Sequence, residues 1–284
     1  MEIIRRIEAK EVIDAVKRLF IEANHHLPEN VRACISDAKN KETSTMASSV
    51  LGLLEENIKV ADALGVPVCQ DTGMAVVFAE VGRSVHIEGM TLNDAIDAGV
   101  REAYLEGKLR LSVVKDPFFD RTNTNDNTPA VTYIRFVEGD RIKLTALPKG
   151  FGSENMSAVK MFTPSATREE IIDFVLETVT KAGSNPCPPI VVGIGMGGTF
   201  DYAAVLSKWA LARNVNDSNK DENYRELEEE LLERINELDI GPQGFGGKTT
   251  ALSVKIEQYP THIAGLPVAV NICCHVARHA SAVI

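Results

Sequence analysis

The chain has 284 residues, of which 44 % are hydrophobic and 25 % are charged. A chain of this length and composition can bury a sizeable core, which excludes an intrinsically disordered protein. The formal net charge of −10 and the lack of a basic run disfavour nucleic-acid binding, because nothing would offset the phosphate charge. No uninterrupted apolar stretch approaches the roughly 20 residues that a membrane span needs.

The N-terminus and the cysteines indicate the cellular setting. Residues 1–6 predict the start of an amphipathic helix and contain no apolar signal core. The five cysteines are an odd number, scattered through the chain. Without an export signal, this pattern favours free thiols or metal ligands over disulfides. We therefore expect a cytoplasmic protein.

Hydrophobic periodicity predicts alternating helices and strands. Helices are predicted over residues 3–24, 31–39, 43–64, 91–106, 167–181, 199–212 and 223–238. Strands are predicted over residues 74–81, 131–137, 141–147, 190–194, 251–257 and 266–272, with a further extended run at 109–114. The strands at 131–137 and 141–147 are expected to pair across the Glu138-Gly139-Asp140 turn. No repeat or linker is visible, which predicts one continuous α/β (mixed α+β) domain over residues 1–284.

The segment Val68-Cys69-Gln70-Asp71-Thr72-Gly73 gathers a thiol, an amide, a carboxylate and a hydroxyl at the entrance of a predicted strand. Gly73 lets the backbone turn sharply behind these groups. Such a segment suits a metal or catalytic site. It is also compatible with a small buried cysteine followed by an Asp-Thr-Gly turn.

Further cysteines lie at the edges of apolar strands. Cys187 is flanked by prolines that fix its backbone, and Cys273 and Cys274 end the last predicted strand. Adjacent strand residues point to opposite faces, so only one of this pair is expected to be a ligand. No local Cys-x-x-Cys spacing exists, and a plain loop around Cys187 remains an alternative. Cys34, in a predicted helix, is assigned to packing.

Gly193, Gly195 and Gly198 match the spacing of a dinucleotide-binding turn. The region about 20 residues on is a polar loop rather than a second strand ending in an acid, which weakens this interpretation. Tight helix–strand packing or a turn facing an oxyanion explains the same glycines.

Two isolated basic residues are candidates for substrate binding. Arg110 lies in the apolar run 109–114, where an unpaired charge would be costly, and His262 lies in a turn before the last long strand. A protein carboxylate would be the usual partner of a buried arginine, and a lone histidine is usually structural. A dicarboxylate substrate would give Arg110 a bidentate partner instead.

Taken together, four segments resemble the class I, iron–sulfur-dependent fumarate hydratases, and more narrowly the α subunit of their two-subunit form. The four segments are residues 68–73, Lys149-Gly150-Phe151-Gly152-Ser153-Glu154-Asn155, Asn185-Pro186-Cys187-Pro188-Pro189 with Gly197-Gly198-Thr199, and Ile240-Gly241-Pro242-Gln243-Gly244-Phe245-Gly246-Gly247-Lys248. The α subunit of L-tartrate dehydratase is a close relative that shares the cysteine segments. The loop at 149–155 is more similar to the fumarase version. The resemblance implies one iron–sulfur hydro-lyase domain of α-subunit type, with small sheets packed by helices.

The resemblance implies a [4Fe–4S] cluster held by Cys69, Cys187 and Cys274. Cys274 is preferred over Cys273 because the family motif has an arginine four residues after the ligand, here Arg278. The family relationship implies that Asp71 handles the proton of the substrate hydroxyl. It also implies that Gln70, Arg110, Gly152 and His262 position the substrate.

The resemblance also implies a partner. Single-chain members of the family carry a C-terminal domain that supplies further substrate arginines and the carbon base. This chain ends at Ile284 without it. We therefore expect a β subunit, in an α2β2 heterotetramer, that shares the active site and its dicarboxylate substrate. Tartrate or a methylated fumarate as substrate, a nucleotide-binding oxidoreductase and a non-catalytic cluster protein are the alternatives.

Overall fold

The computed structural model describes residues 4–284 as two compact units. The first unit comprises the chain up to Pro28, Val60–Gly150 and Arg278–Ile284, and the second comprises Glu29–Lys59 and Phe151–Ala277. The expectation of a single continuous domain stays a prediction. Between residues 4 and 284, no helix has the length and apolar character required to cross a bilayer.

The elements confirm a mixed α/β protein. In chain order they are β1 (Arg5–Glu8), α1 (Ala9–His25), α2 (Glu29–Lys41), α3 (Thr45–Leu64), β2 (Met74–Gly82), β3 (Val85–Glu88), α4 (Leu92–Glu106), β4 (Val131–Val137), β5 (Ile142–Lys149), α5 (Phe151–Glu154), β6 (Ala158–Phe162), α6 (Arg168–Ala182), β7 (Ile190–Gly198), α7 (Phe200–Leu211), α8 (Glu222–Asn236), β8 (Ala251–Thr261), β9 (Leu266–Cys273) and β10 (Ala280–Val283). Every helix and strand predicted beyond residue 8, apart from the extended run at 109–114, has a counterpart here.

Two predictions of local structure are wrong. Arg5–Glu8 form a strand parallel to β3, not the start of a helix. Residues 1–3 of the chain, where that helix was expected to begin, lie outside the described residues. The run at 109–114 is irregular chain that makes a single bridge, Val114 to Asn123. The short strands β3, β6 and β10 were not predicted, because four or five residues carry too little periodicity.

The first unit is built on a sheet with strand order β10-β5-β2-β4. The expected hairpin between β4 and β5 is wrong, since β2 lies between them, parallel to β4 and antiparallel to β5. β2 is buried along nearly its whole length, as its apolar run from Met74 to Ala79 requires of a central strand. α1 packs against α4 and β5 and contributes Val12, Val16 and Phe20 to the core.

The second unit is built on a sheet with strand order β6-β9-β7-β8. β7 is parallel to β8 and antiparallel to β9, with Val191 opposite Cys273. α7 packs on β7, and α8 packs on β8 through Leu227, Leu231 and Ile235. Cys187 precedes the start of β7, whereas His262 follows the end of β8, which is parallel to β7. The two residues therefore lie at opposite ends of this sheet.

Candidate active site

Within the first unit, a tight turn immediately before β2 carries Cys69, Gln70 and Asp71. Gly73 has a φ of 76°, and a Cβ atom there would lie 2.7 Å from the main-chain nitrogen of Lys149. Both the positive φ and the close approach require glycine. The amide of Gly73 donates to Asp71 Oδ1 at 3.0 Å, which closes an Asx turn. The carboxylate of Asp71 is therefore held against its own backbone.

The main-chain carbonyls of this turn are held by side chains from distant parts of the sequence. Arg278 Nη2 donates to the carbonyl of Asp71. The hydroxyl of Tyr104 donates to the carbonyls of Thr72 at 2.8 Å and Gly73 at 2.9 Å. Burial raises the pKa of Tyr104 well above its ordinary value, so its hydroxyl stays a donor at neutral pH. The turn is consequently rigid before any substrate arrives.

The polar loop predicted at 121–130 adds a further anchor. Asn127 is fully buried, and its Nδ2 donates to the carbonyl of Gly73 at 3.2 Å. The Oδ1 atom of Asn127 accepts from the amide of Ser112 at 2.7 Å. The amide side chain thus joins the turn to the chain that follows α4, and that chain contains Arg110.

Arg110 lies beside the same turn, but not as expected. Its main-chain amide donates to Thr72 Oγ1 at 2.9 Å, and Thr72 Oγ1 lies 3.3 Å from its carbonyl oxygen. The side chain of Arg110 is exposed, whereas its neighbour Leu109 is buried. The expectation of a charge buried in a strand is therefore wrong. The irregular chain turns the guanidinium outward, where it can reach a ligand.

Gly150 lies next to the second carboxylate oxygen of Asp71. A Cβ atom on Gly150 would lie 3.2 Å from Asp71 Oδ2. Gln70 is exposed, and Cys69 and Asp71 are partly exposed. The first unit therefore brings together Cys69, Gln70, Asp71 and the backbone of Arg110.

In the second unit, Cys187 lies in the proline-rich turn before β7. Its φ is 54°, and its side chain is exposed. Its carbonyl accepts from the amide of His275 at 3.3 Å, and His275 Nδ1 lies 3.0 Å from the same oxygen. Gln243 Nε2 donates to the carbonyl of Pro188 at 2.7 Å and lies 3.3 Å from His275 Nδ1. The Gly-Pro-Gln segment thus holds the Cys187 turn.

The same contacts bring the adjacent cysteines Cys273 and Cys274 close to the Cys187 turn. Cys273 is the last residue of β9 and is 5 % exposed, whereas Cys274 beyond the strand is partly exposed. Because the amide of His275 donates to Cys187, Cys274 lies next to the Cys187 turn in the chain path. Its greater exposure makes Cys274 the more accessible thiol of the pair.

Gly152 and His262 lie at opposite ends of the second unit. A Cβ atom on Gly152, in α5, would lie 3.5 Å from the carbonyl of Asn185, close to Cys187. His262 is exposed in the turn between β8 and β9, and the adjacent Thr261 donates to the carbonyl of Gly198 at the far end of β7. β7 has nine residues, so about 25 Å of strand separates the two ends. The second unit does not bring His262 to Cys187.

The glycines of β7 serve packing. Gly193 and Gly195 lie inside the strand, not in a turn after it. A Cβ atom on Gly195 would lie 2.0 Å from the carbonyl of Ala203, and one on Gly193 would lie 2.2 Å from that of Ser207. Of the explanations considered for these glycines, tight contact between α7 and β7 is the one that the structure supports.

The donor chemistry suits a soft metal centre. Within residues 4–284 no disulfide joins the cysteines, and no three His, Cys, Asp or Glu side chains form a preassembled metal site. Cys69, Cys187 and Cys274 nevertheless each lie in an accessible turn at a strand edge, and thiolates are the usual ligands of iron–sulfur centres. The buried Nε and Nη1 atoms of Arg278 have no acceptor in the described chain, which leaves unused donors beside the Asp71 turn.

Comparison with known proteins identifies the family. Residues 13–283 match the family model described as fumarate hydratase (Fumerase). The chain belongs to the fumarate hydratase family. The resemblance inferred from the sequence is confirmed, and the protein is a hydro-lyase.

Two similar proteins are named as L(+)-tartrate dehydratase α subunits. A protein of Methanocaldococcus jannaschii named "Putative L(+)-tartrate dehydratase subunit alpha" is 45 % identical over 277 residues, covering 95 % of this chain and 96 % of its own length. The L(+)-tartrate dehydratase subunit alpha of Escherichia coli K12 is 32 % identical over 256 residues, covering 89 % of this chain and 84 % of its own length. The relationship to tartrate dehydratase α subunits, as well as to fumarate hydratases, is confirmed.

Several residues that shape this fumarate hydratase-family site were not singled out from the sequence. Gln243 was within a recognised segment and Asn127 was within the polar loop, so their positions offered a signal. Tyr104 falls on the apolar face of α4 and reads as a core residue. Only the tertiary structure shows its hydroxyl at the Asp71 turn.

Proposed function

We propose that this chain is the α subunit of a [4Fe–4S]-dependent hydro-lyase that reversibly hydrates fumarate to L-malate. The observation that carries the proposal is the rigid turn that presents Cys69, Gln70 and Asp71 together, with Arg110 beside it. Membership of the fumarate hydratase family supports the reaction class. A small dicarboxylate fits a site with an exposed arginine and a fixed acid.

Cys69, Cys187 and Cys274 are the proposed cluster ligands. Three thiolates would leave one iron of a four-iron cluster without a protein ligand, so the cluster would supply a Lewis acid rather than an electron carrier. Cys274 is proposed in preference to Cys273 because Arg278 follows it by four residues, and its greater exposure supports that choice. Cys34 is partly exposed and donates a hydrogen bond to Asn216 Oδ1 in the second unit, and it is left out of the proposed ligand set.

Asp71 is the proposed acid–base group for the substrate hydroxyl. Its Oδ1 atom is oriented by the amide of Gly73, and its Oδ2 atom faces the bare backbone of Gly150. A carboxyl group fixed in this way gives up or accepts a proton without first reorganising.

Substrate positioning is assigned to Gln70, Arg110, Gly152 and His262. The exposed guanidinium of Arg110 suits bidentate binding of a carboxylate, and Gln70 offers an exposed amide. Gly152 lies close to the Cys187 turn, which supports its assignment. The assignment of His262 rests on the family resemblance alone, because the second unit places it at the far end of β7.

A β subunit is proposed to complete the site. The relatives are named as α subunits, which is the support for a partner chain. We assign the carbon base and the remaining substrate arginines to that partner, in an α2β2 assembly. The isolated α chain is then expected to bind the cluster and to hydrate fumarate poorly or not at all.

L-Tartrate is a second candidate substrate, favoured by the names of both relatives. Tartrate differs from malate by one additional hydroxyl group, so a single pocket contact can decide between them. A site that hydrogen-bonds the second hydroxyl would reject malate strongly, whereas one lined by apolar groups discriminates weakly. A methylated fumarate is a further variant of the same reaction.

The test is an anaerobic assay of the chain with and without its co-expressed β subunit. The pair, but not the α chain alone, is expected to turn over fumarate, L-malate or L-tartrate, and the ratio of kcat/KM values assigns the substrate. An iron-loaded pair that is inactive on all of these dicarboxylates would contradict the proposal.

The role of Asp71 has its own test in Asp71→Asn. The amide Oδ1 of the asparagine can still accept from Gly73, so the turn and the iron content should be retained. Turnover by the αβ pair is expected to fall by about 10²–10⁴-fold, the usual contribution of a general acid–base group. Near-normal turnover would remove Asp71 from the mechanism.

A further inference from the structure

Arg278 is a buried cation whose hydrogen-bonding capacity is mostly unused. Its residue exposure is 3 %. Nη2 donates to the main-chain carbonyl of Asp71, but the buried Nε and Nη1 atoms meet no acceptor anywhere in residues 4–284. A guanidinium cannot lose its charge in a protein, so the burial of its Nε and Nη1 donors without acceptors carries a large desolvation cost. Native structures provide an acceptor for such groups.

The surroundings of Arg278 do not supply that acceptor. The Asp71 turn offers its carbonyl oxygen, which Nη2 already uses, and Asp71 Oδ1 accepts from Gly73. Tyr104 is close enough for the Arg278 charge to act on it: burial raises the pKa of Tyr104, and the nearby guanidinium opposes that rise. The tyrosine hydroxyl is itself committed to the carbonyls of Thr72 and Gly73.

We propose that Arg278 Nε and Nη1 donate to an anionic group bound beside the Cys69–Asp71 turn. The inference rests on the proposed function, which places a cluster with anionic sulfur atoms and a dicarboxylate at this turn. Both sources present the same chemistry to the arginine, a negatively charged acceptor.

Burial favours the cluster as the acceptor. Arg278 is held by a main-chain carbonyl and cannot swing, so it suits a permanently bound group. Arg110 differs, because its exposed side chain is free to close on an arriving substrate. Arg278 is thus a positioning residue that ties the orientation of Asp71 to the bound cluster. Hydrogen bonds of this kind set how firmly a metal centre is retained and where its reduction potential lies.

The experiment compares Arg278→Gln and Arg278→Lys in the anaerobically reconstituted αβ complex. The readouts are the rate of iron release to a chelator, the reduction potential of the cluster, and KM and kcat for the substrate. Arg278→Gln is expected to release iron about 10-fold or more faster and to shift the potential to more negative values. Arg278→Lys retains the charge without the planar donor fork and is expected to lie between the wild type and the glutamine variant.

Arg213→Lys is the matched control. Arg213 is also largely buried, but it is paired with Glu228 and donates to the carbonyl of Ile256 in the second unit. Its replacement is expected to affect the thermal stability of the metal-free chain and not iron release. Arg278→Lys keeps the test decisive if the glutamine variant does not fold.

Each outcome has one meaning. Faster iron release assigns the acceptor to the cluster, and a raised substrate KM with unchanged iron release assigns it to a substrate carboxylate; both support the anionic contact. Unchanged iron release, potential and KM would overturn it. So would changes no larger than those of the Arg213 control, which indicate a structural role. A wild-type complex that binds no iron would overturn the proposed function first, and this inference with it.

Discussion

At the scale of single residues, the site depends on groups that are far apart in the sequence. The segment 68–73 and the need for glycine at position 73 could be predicted from the sequence, because residue type and local turn chemistry decide them. The donors that hold the turn, Tyr104 and Arg278, could not, because the pairing of distant residues is a property of the tertiary structure. The burial predicted for Arg110 failed for a related reason: an apolar run does not specify which face is covered.

Tyr104→Phe tests the rigidity of the turn. The change removes a buried hydroxyl that donates to the carbonyl of Thr72; the carbonyl of Gly73 keeps the amide of Asn127 as its donor. Unsatisfied buried acceptors cost about 1–3 kcal/mol, so the free energy of unfolding should fall by this amount in urea titrations.

Tyr224→Phe is the control for that substitution. Tyr224 is partly buried on α8 in the second unit, and its change should alter the free energy of unfolding by no more than about 0.5 kcal/mol. Equal effects of the two substitutions would show that the hydroxyl of Tyr104 holds nothing in place.

Because His279 is partly buried, we expect the folded chain to lose stability in mild acid. Burial lowers the pKa of His279 in the folded chain below the value of about 6.5 that it has when unfolded. Between these two pKa values the unfolded chain binds a proton that the folded chain does not, so stability rises with pH there. The contribution is therefore complete above pH 6.5 or so and is lost as the pH falls toward the folded-state pKa.

His279→Gln isolates this effect. Its free energy of unfolding should depend less steeply on pH than that of the wild type, measured by urea titration from about pH 7.5 to about pH 5.5. His25, whose pKa is also lowered by burial, continues to contribute in both proteins and serves as the common background. Parallel pH curves would contradict the assignment to His279.

At the scale of elements, periodicity located the longer helices and strands but not their pairing. β4 and β5 are adjacent in sequence, and a short turn joins them, which is why a hairpin was predicted. β2 displaces this pairing because its apolar run from Met74 to Ala79 is buried only when a strand lies on each side of it. Strand order in such a sheet depends on burial of the whole set, and the sequence of one hairpin does not contain that information.

Gly195→Ala tests the packing of α7 on β7. The added Cβ would lie 2.0 Å from the carbonyl of Ala203, so the helix must move away from the strand. Overpacking of this kind costs about 1–3 kcal/mol, and the free energy of unfolding should fall accordingly.

Gly265→Ala is the matched glycine control. A Cβ at Gly265 meets no described atom within 4 Å, so its effect should stay within about 0.5 kcal/mol. If Gly195→Ala is as well tolerated as Gly265→Ala, the glycines of β7 serve something other than packing.

At the scale of the whole molecule, the family came from the order of several motifs, and the arrangement of the site came from the structure. The match over residues 13–283 confirms a hydro-lyase. Each unit supplies separate chemistry: the first carries the Asp71 turn and Arg110, and the second carries the Cys187 and Cys274 turns. The chemistry of a fumarate hydratase is therefore proposed for residues drawn from both units, with the β subunit as the remaining contributor.

The central claim is the cluster, and anaerobic iron and sulfide analysis of the reconstituted chain tests it most directly. The account predicts about four irons and four sulfides per chain in the wild type and in Cys34→Ala. Cys69→Ser, Cys187→Ser and Cys274→Ser should each lose most of the iron. A wild-type chain that binds no iron after reconstitution would contradict the account, and loss of iron from Cys34→Ala would show that the ligand set is wrong.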